Sequence, residues 1–309
     1  MRAALVLAAL GLTACTDTSS LTEVLPDDRL LVDFSGADAS ETARSSLGGW
    51  SEFYVETART TTTVNGFIGS VLTLVDTIVR TRPSEVNRDR SRAVWGPYRD
   101  TLSAVEVRLT VQREADGSHR WWFDQWPKDQ DDSAAVVVIQ GTVDPGATRQ
   151  ASTGQFEVDY TAMGQDNPLV DHTGVFWTDY VIDFDGASAV ATVTDWTSLR
   201  QPGPPIDASY DYDQVQGGEG RMDLSYSGFD PVSEQEASYA LRSRWMSDGA
   251  GRGDATVSVA NQGDNQSEPA YTASECWDSG FKLVWDETSW EGGQGDASAC
   301  AYSEASWPE

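Results

Sequence analysis

The chain has 309 residues, of which 49 are Asp or Glu and 21 are Lys or Arg, for a formal net charge of −28. A field of that sign repels nucleic acid and anionic lipid headgroups, and it favours solubility, cation accumulation or basic partners. The apolar share is 39% before 27 glycines are counted, which excludes a wholly disordered chain.

Arg2 precedes an apolar run, Ala3 to Leu12, that ends in Leu12-Thr13-Ala14-Cys15. Charge, short apolar segment and small residues follow one another as in a secretory signal. A membrane span needs roughly 20 apolar residues, and polar Thr16 to Ser20 come next, so the segment reads as one that is removed. Its last four residues resemble the lipobox of bacterial lipoproteins. That resemblance implies a signal peptide over residues 1–14 and a Cys15 acylated with palmitate-type chains. The mature protein would then be held on the membrane through its N-terminal lipid, since each buried methylene contributes about 0.8 kcal/mol and two chains suffice. It also implies a place in the cell envelope, with Thr16 rather than Asp after the cysteine pointing to the outer membrane.

Residues 15–40 are polar and acidic and read mainly as a tether, with Val32 and Phe34 beginning to dock, and 41–309 read as a single β-rich domain. Asp38 with Glu41 forms a capping-box pattern, after which Ala43, Leu47, Trp50 and Tyr54 recur at helical spacing across Gly48-Gly49. A stronger stripe of Val64, Phe67, Ile68, Val71, Leu72, Val75, Ile78 and Val79 predicts a helix that Pro83 ends. Helices are therefore expected at about 41–82. Asn65, Asp76 and the shortness of the stripe favour a core helix over a second membrane element.

Beyond Trp95 the period changes to two. Val105, Val107, Leu109 and Val111 alternate with polar residues, Asp116-Gly117 supplies a hairpin turn, and the aromatic run from Trp121 to Trp126 returns. The pattern repeats through Ala135–Val143, Phe156–Tyr160, Phe176–Phe184 and Ala187–Trp196. After the break at Gln201-Pro202-Gly203-Pro204-Pro205 it resumes in Tyr210, Tyr212, Met222, Leu224, Tyr226, Tyr239, Leu241, Trp245, Val257 and Val259. About a dozen one-sided strands with glycine turns predict a mainly β (α+β) fold, an antiparallel meander forming a curved sheet, partial barrel or sandwich.

With Cys15 acylated, Cys276 and Cys300 remain as a pair in an oxidising compartment, where a disulfide closing the segment 276–300 is expected. A loop of about 25 residues closed in this way contributes roughly 3.5 kcal/mol on the chain-entropy view.

Catalytic signatures are sparse. His119 and His172 are the only histidines, and Ser279-Gly280-Phe281-Lys282 matches the S-x-x-K spacing of serine acyl-transfer enzymes without its companion motifs. Hard cations need several oxygens, which makes Asp129, Asp131 and Asp132, and Asp183 with Asp185, candidate Ca²⁺ ligands, although none has EF-hand spacing. Of the twelve tryptophans, the cluster Trp121, Trp122 and Trp126, and with it Trp277, Trp285 and Trp290 near the cysteine pair, are candidate stacking platforms for sugars or the lining of an apolar cavity, and filling a large β core is the competing use. A curved sheet with a helix against it is similar in outline to periplasmic lipoprotein carriers, which hold acyl chains in the concave face. The sequence thus points to a lipid-anchored, non-catalytic envelope protein that binds a small molecule, glycan or protein. A carbohydrate-active hydrolase using an acidic pair and a purely structural lipoprotein are the alternatives.

Overall fold

A computed structural model describes residues 18–32, 46–148, 150–200, 203–230, 235–259 and 269–305. A short helix α1 (Ser19–Thr22) and a 3-10 turn (Asp28–Leu30) precede the long helix α2 (Glu52–Val79). The strands begin with β1 (Glu85–Val86), β2 (Arg92–Tyr98), β3 (Val105–Arg113), β4 (His119–Pro127), β5 (Val136–Val143) and β6 (Ser152–Asp159). After helix α3 (Tyr160–Asp166) come β7 (His172–Ile182), β8 (Gly186–Ser198), β9 (Ile206–Val215), β10 (Gly220–Asp230) and β11 (Gln235–Trp245). The chain ends with β12 (Gly251–Val259), β13 (Pro269–Trp277), β14 (Leu283–Thr288) and β15 (Gly292–Gly295). All fifteen form one antiparallel sheet in strict chain order, open at both ends. Because β8 and β9 are direct neighbours, the proline-rich break does not divide the sheet.

Alternation sends every second residue to the concave face, and the register lines these residues up across strands. One row runs Ala93, Val111, Trp121, Gly141, Phe156, Thr178, Ala191, Tyr210, Leu224, Leu241, Ala255 and Ala273. Its three rings, Trp121, Phe156 and Tyr210, are never adjacent, and Gly141, Thr178 and Ala191 stand between them, which lets the sheet curl inward without collision. Gly141 illustrates the constraint, since a Cβ there would lie 2.4 Å from the Trp121 ring. The same pairing recurs at Gly220 beneath Trp245 and Gly251 beneath Trp277.

Helix α2 covers this face and crosses the strands from β13 toward β2. Ser51 caps it, accepting the Tyr54 N–H at 3.1 Å, and its hydroxyl donates to buried Glu275 of β13 at 2.6 Å. Glu275 also accepts the Phe53 N–H at 3.0 Å. Thr57 then shares a hydrogen bond with Ser243 of β11 at 2.5 Å, and Thr61 meets Tyr210 of β9 at 3.4 Å. The second half docks through Ile68, Val71, Leu72, Val75 and Ile78, all buried, and just beyond it the Thr81 carbonyl accepts from the Trp95 indole of β2 at 3.0 Å.

Three expectations need correction. The helix begins at Glu52 rather than near 41, because Gly48 takes a φ of +77° in a turn and Trp50 is bridged to Lys282, so residues 46–50 pair with the sheet instead. Docking of the expected 15–40 tether begins well before Val32, with Leu21 and Leu30 in the core as well as Val32; Asn65 of α2 binds both the N–H and the carbonyl of Val32 at 3.0 and 2.8 Å, and the Tyr212 hydroxyl donates to the Leu30 carbonyl, while Phe34 lies outside the described residues. The apolar residues scattered among those acids found a face to bury against. Tyr160, expected at a strand end, instead opens α3, which Asp159 caps. The Asp38–Glu41 capping box and Ala43 lie outside the described residues.

Cys276 and Cys300 form a disulfide with a Cα–Cα separation of 5.3 Å. The segment it holds lies on the convex face, where Tyr302 packs 4.0 Å from the Arg244 guanidinium and the Ala305 N–H donates to Asp254 at 2.7 Å.

Two outcomes test this packing. Gly141→Ala should lower stability by about 1–3 kcal/mol through overpacking, and Trp121→Ala should cost less in that background than alone when both are read by urea unfolding; strictly additive losses would refute the ring-over-glycine constraint. Burial pushes the Glu275 carboxyl above its ordinary 4.5, with the Phe53 and Ser51 hydrogen bonds opposing. Wild-type stability should therefore fall relative to Glu275→Gln as pH rises from 4.5 through the raised folded value. A difference that stays flat between roughly pH 4 and 7 would contradict that environment.

Candidate functional site

The structure separates the residues that the sequence grouped. Trp121 points into the concave core and is fully buried, whereas its neighbour Trp122 and Trp126 lie on the convex face. There Arg120 sits 5.3 Å from the Trp122 ring and Arg108 5.2 Å from that of Trp126. Strand alternation thus splits the expected three-ring platform between two faces.

The acidic candidates are occupied by local turn chemistry. Asp131 caps the 3-10 turn after β4, accepting the Ser133 N–H at 2.9 Å, and the Ser133 hydroxyl and N–H hold its carboxyl below the usual range. Asp132 pairs with Arg108 at 3.1 Å, and Asp183 accepts the N–H groups of Asp185 and Gly186 at 2.9 and 2.8 Å. Asp129 and Asp185 are exposed. Among the described residues, no three His, Cys, Asp or Glu side chains converge in a way that could hold a metal ion. Cys15 lies outside the described residues.

The S-x-x-K match is a turn rather than a nucleophile site. Asp278 accepts the N–H groups of Gly280 and Lys282 at 2.9 Å each, and the Lys282 ammonium lies 3.8 Å from the centre of the Trp50 ring. Phe281, at a φ of +64°, stacks on Tyr54 with centroids 4.3 Å apart. His172 pairs with Asp171 at 2.6 Å, but Asp171 is shared with Arg200 at 2.6 Å, and the imidazole stacks on Trp196. The hollow beneath α2 is filled by Trp95, Trp121, Phe123 and Phe156, each at most 2% exposed. The acyl-chain space that the outline of a carrier implies is taken there by the protein's own rings.

The diagonal path of α2 leaves part of the concave face uncovered. Between its first turns and β10–β12 lies a cleft of about 350 Å³, with Phe53, Glu56 and Arg59 on the helical wall and Tyr226, Tyr239 and Val257 on the sheet wall. Tyr226 and Tyr239 are direct cross-strand partners, stacked at 4.7 Å with planes 15° apart. Burial above all, with Tyr239 and the Glu56 charge adding to it, raises the Tyr226 phenol above its ordinary value. The register continues from Tyr239 through Val257 to Tyr271 of β13, which is 53% exposed and meets the 57% exposed Trp290 edge-to-face at 5.8 Å. Arg59 has no ion-pair partner among the described residues.

A second cleft of about 800 Å³ lies between residues 22–31 and the second half of α2. It carries carboxylates from Glu23, Asp27, Asp28 and Asp76 and no aromatic ring, and two of its acids are already tied to Arg29 and Arg80. The first cleft therefore offers the richer recognition chemistry. Its tyrosines were legible in the sequence only as strand residues. The missing signal was their register, which puts Tyr226 opposite Tyr239 and Tyr239 in line with Tyr271. No family model matches the chain, and neither a curated protein nor a solved structure is similar to it.

Proposed function

We propose that the chain is a lipid-anchored, non-catalytic envelope protein that binds its ligand in the cleft between the first turns of α2 and β10–β12. The observation that carries this reading is the solvent-open cleft with its cross-strand tyrosine stack, held on a rigid sheet beside a helix whose first turn is pinned by Glu275. Aromatic rings bring large contact area at low conformational entropy, which is what a recognition surface needs. The anchor rests on Leu12 to Cys15, and the outer membrane on Thr16.

The hydrolase alternative has less support. Glycoside hydrolysis needs carboxyl groups flanking the scissile bond. The acids of the cleft, Glu52 and Glu56, are one helical turn apart and share a single wall. Calcium at the acidic turns is likewise weakly supported, since Asp131 and Asp183 already accept local N–H groups.

Labelling of the expressed protein with palmitate should succeed and should vanish in Cys15→Ser; an unlabelled wild type removes the anchor. For the cleft, hydrogen exchange of the peptides spanning residues 52–59 and 236–242 should slow when envelope extract is added, and Val257→Trp, which narrows the cleft, should abolish that protection. Extract that changes neither peptide defeats the binding reading.

A further inference from the structure

We infer that the ligand of this cleft is a neutral oligosaccharide laid across β10–β13, a proposal that rests on reading the cleft as the binding site. Sugar rings carry apolar C–H faces and a rim of hydroxyls that both donate and accept hydrogen bonds. A matching site therefore needs aromatic surface on one wall and planar donor and acceptor groups on the other. The sheet wall supplies the aromatic surface: Tyr226, 39% exposed, stacks on Tyr239, and the row continues to the exposed Tyr271 and Trp290. Tyr226 and Tyr271 are three strand spacings apart, about 14 Å, which suits a short run of sugar units rather than one small molecule. The helical wall supplies the polar groups: Glu56 offers a carboxylate that only accepts, and Arg59, three residues on, offers a guanidinium that only donates.

Charge narrows the class. A net charge of −28 opposes an anionic polysaccharide, while Arg59 on the wall, with no ion-pair partner among the described residues, is a donor that a sugar hydroxyl can meet. A neutral glycan uses both Glu56 and Arg59 and escapes the repulsion that an anionic one meets. The site is also preorganised, because its rings stand on paired strands and stack on one another at 4.7 Å; ordering the site on binding is then a small part of the free-energy balance.

The probe is a neutral polysaccharide fraction of the cell envelope, protease-digested and delipidated, applied to the detergent-solubilised full chain with and without periodate oxidation of its vicinal diols. The intact fraction should protect the peptides spanning residues 52–59 and 236–242 from hydrogen exchange, and the oxidised fraction should not. Tyr226→Ala and Tyr239→Ala should each weaken binding at least about ten-fold, whereas Tyr226→Phe, which keeps the ring face, should bind within about two-fold of wild type. Equal protection by the oxidised fraction, or alanine variants that retain the wild-type melting temperature and bind unchanged, would overturn the proposal. Protection by whole envelope extract without any by the polysaccharide fraction would overturn the glycan assignment and leave the cleft as the binding site; protection by neither defeats both.

Discussion

An open sheet with one apolar face has to have that face covered, and the architecture follows from how this is done. Fifteen strands at a spacing of about 4.8 Å make an arc of roughly 67 Å. The 28 residues of α2 reach only about 42 Å. The helix therefore cannot shield the sheet alone, and three features make up the difference: the sheet curls, residues 18–32 fold into the hollow, and part of the concave face at β10–β13 stays open. The candidate site is that remainder. Curling in turn requires short residues beside long ones, which is why Trp121, Trp245 and Trp277 each lie over a glycine on the next strand.

The two halves of α2 are held by different interactions. Its second half buries an aliphatic stripe, whose worth scales with area and which tolerates small shifts along the sheet. Its first half is fixed by directed hydrogen bonds from Ser51, Thr57 and Thr61 to three strands, and these set where the helix starts and hence where the cleft opens. Glu275 is the contact whose loss costs most, because removing it leaves the buried Ser51 hydroxyl and the half-buried Phe53 N–H without that acceptor together.

The large negative charge is distributed so that the fold tolerates it. Most acids cap turns or face solvent, and the convex face sets Arg221 against Asp213, Arg244 against Glu219 and Arg252 against Asp254. Where two acids do face each other, Asp211 and Asp223 in β9 and β10, burial and the neighbouring carboxylates raise the Asp211 carboxyl and Arg221 opposes them. The disulfide-held C-terminal segment completes this layer by laying Tyr302 over Arg244.

Local pattern was enough to derive the antiparallel meander, the Val64 to Val79 stripe and the cysteine pairing, because strand alternation, helical periodicity and the count of available thiols are properties of neighbouring or few residues. Tertiary structure decided what depends on register and on cover. It drew residues 18–32 out of the expected tether, since whether Leu21 and Leu30 are buried depends on a hollow built some hundred residues later. It moved the helix start to Ser51 because the partner of that cap, Glu275, lies 224 residues away. It also dissolved the tryptophan cluster and assembled the tyrosine row, because adjacent residues on a strand point to opposite faces while residues on different strands share one only when the pairing register aligns them.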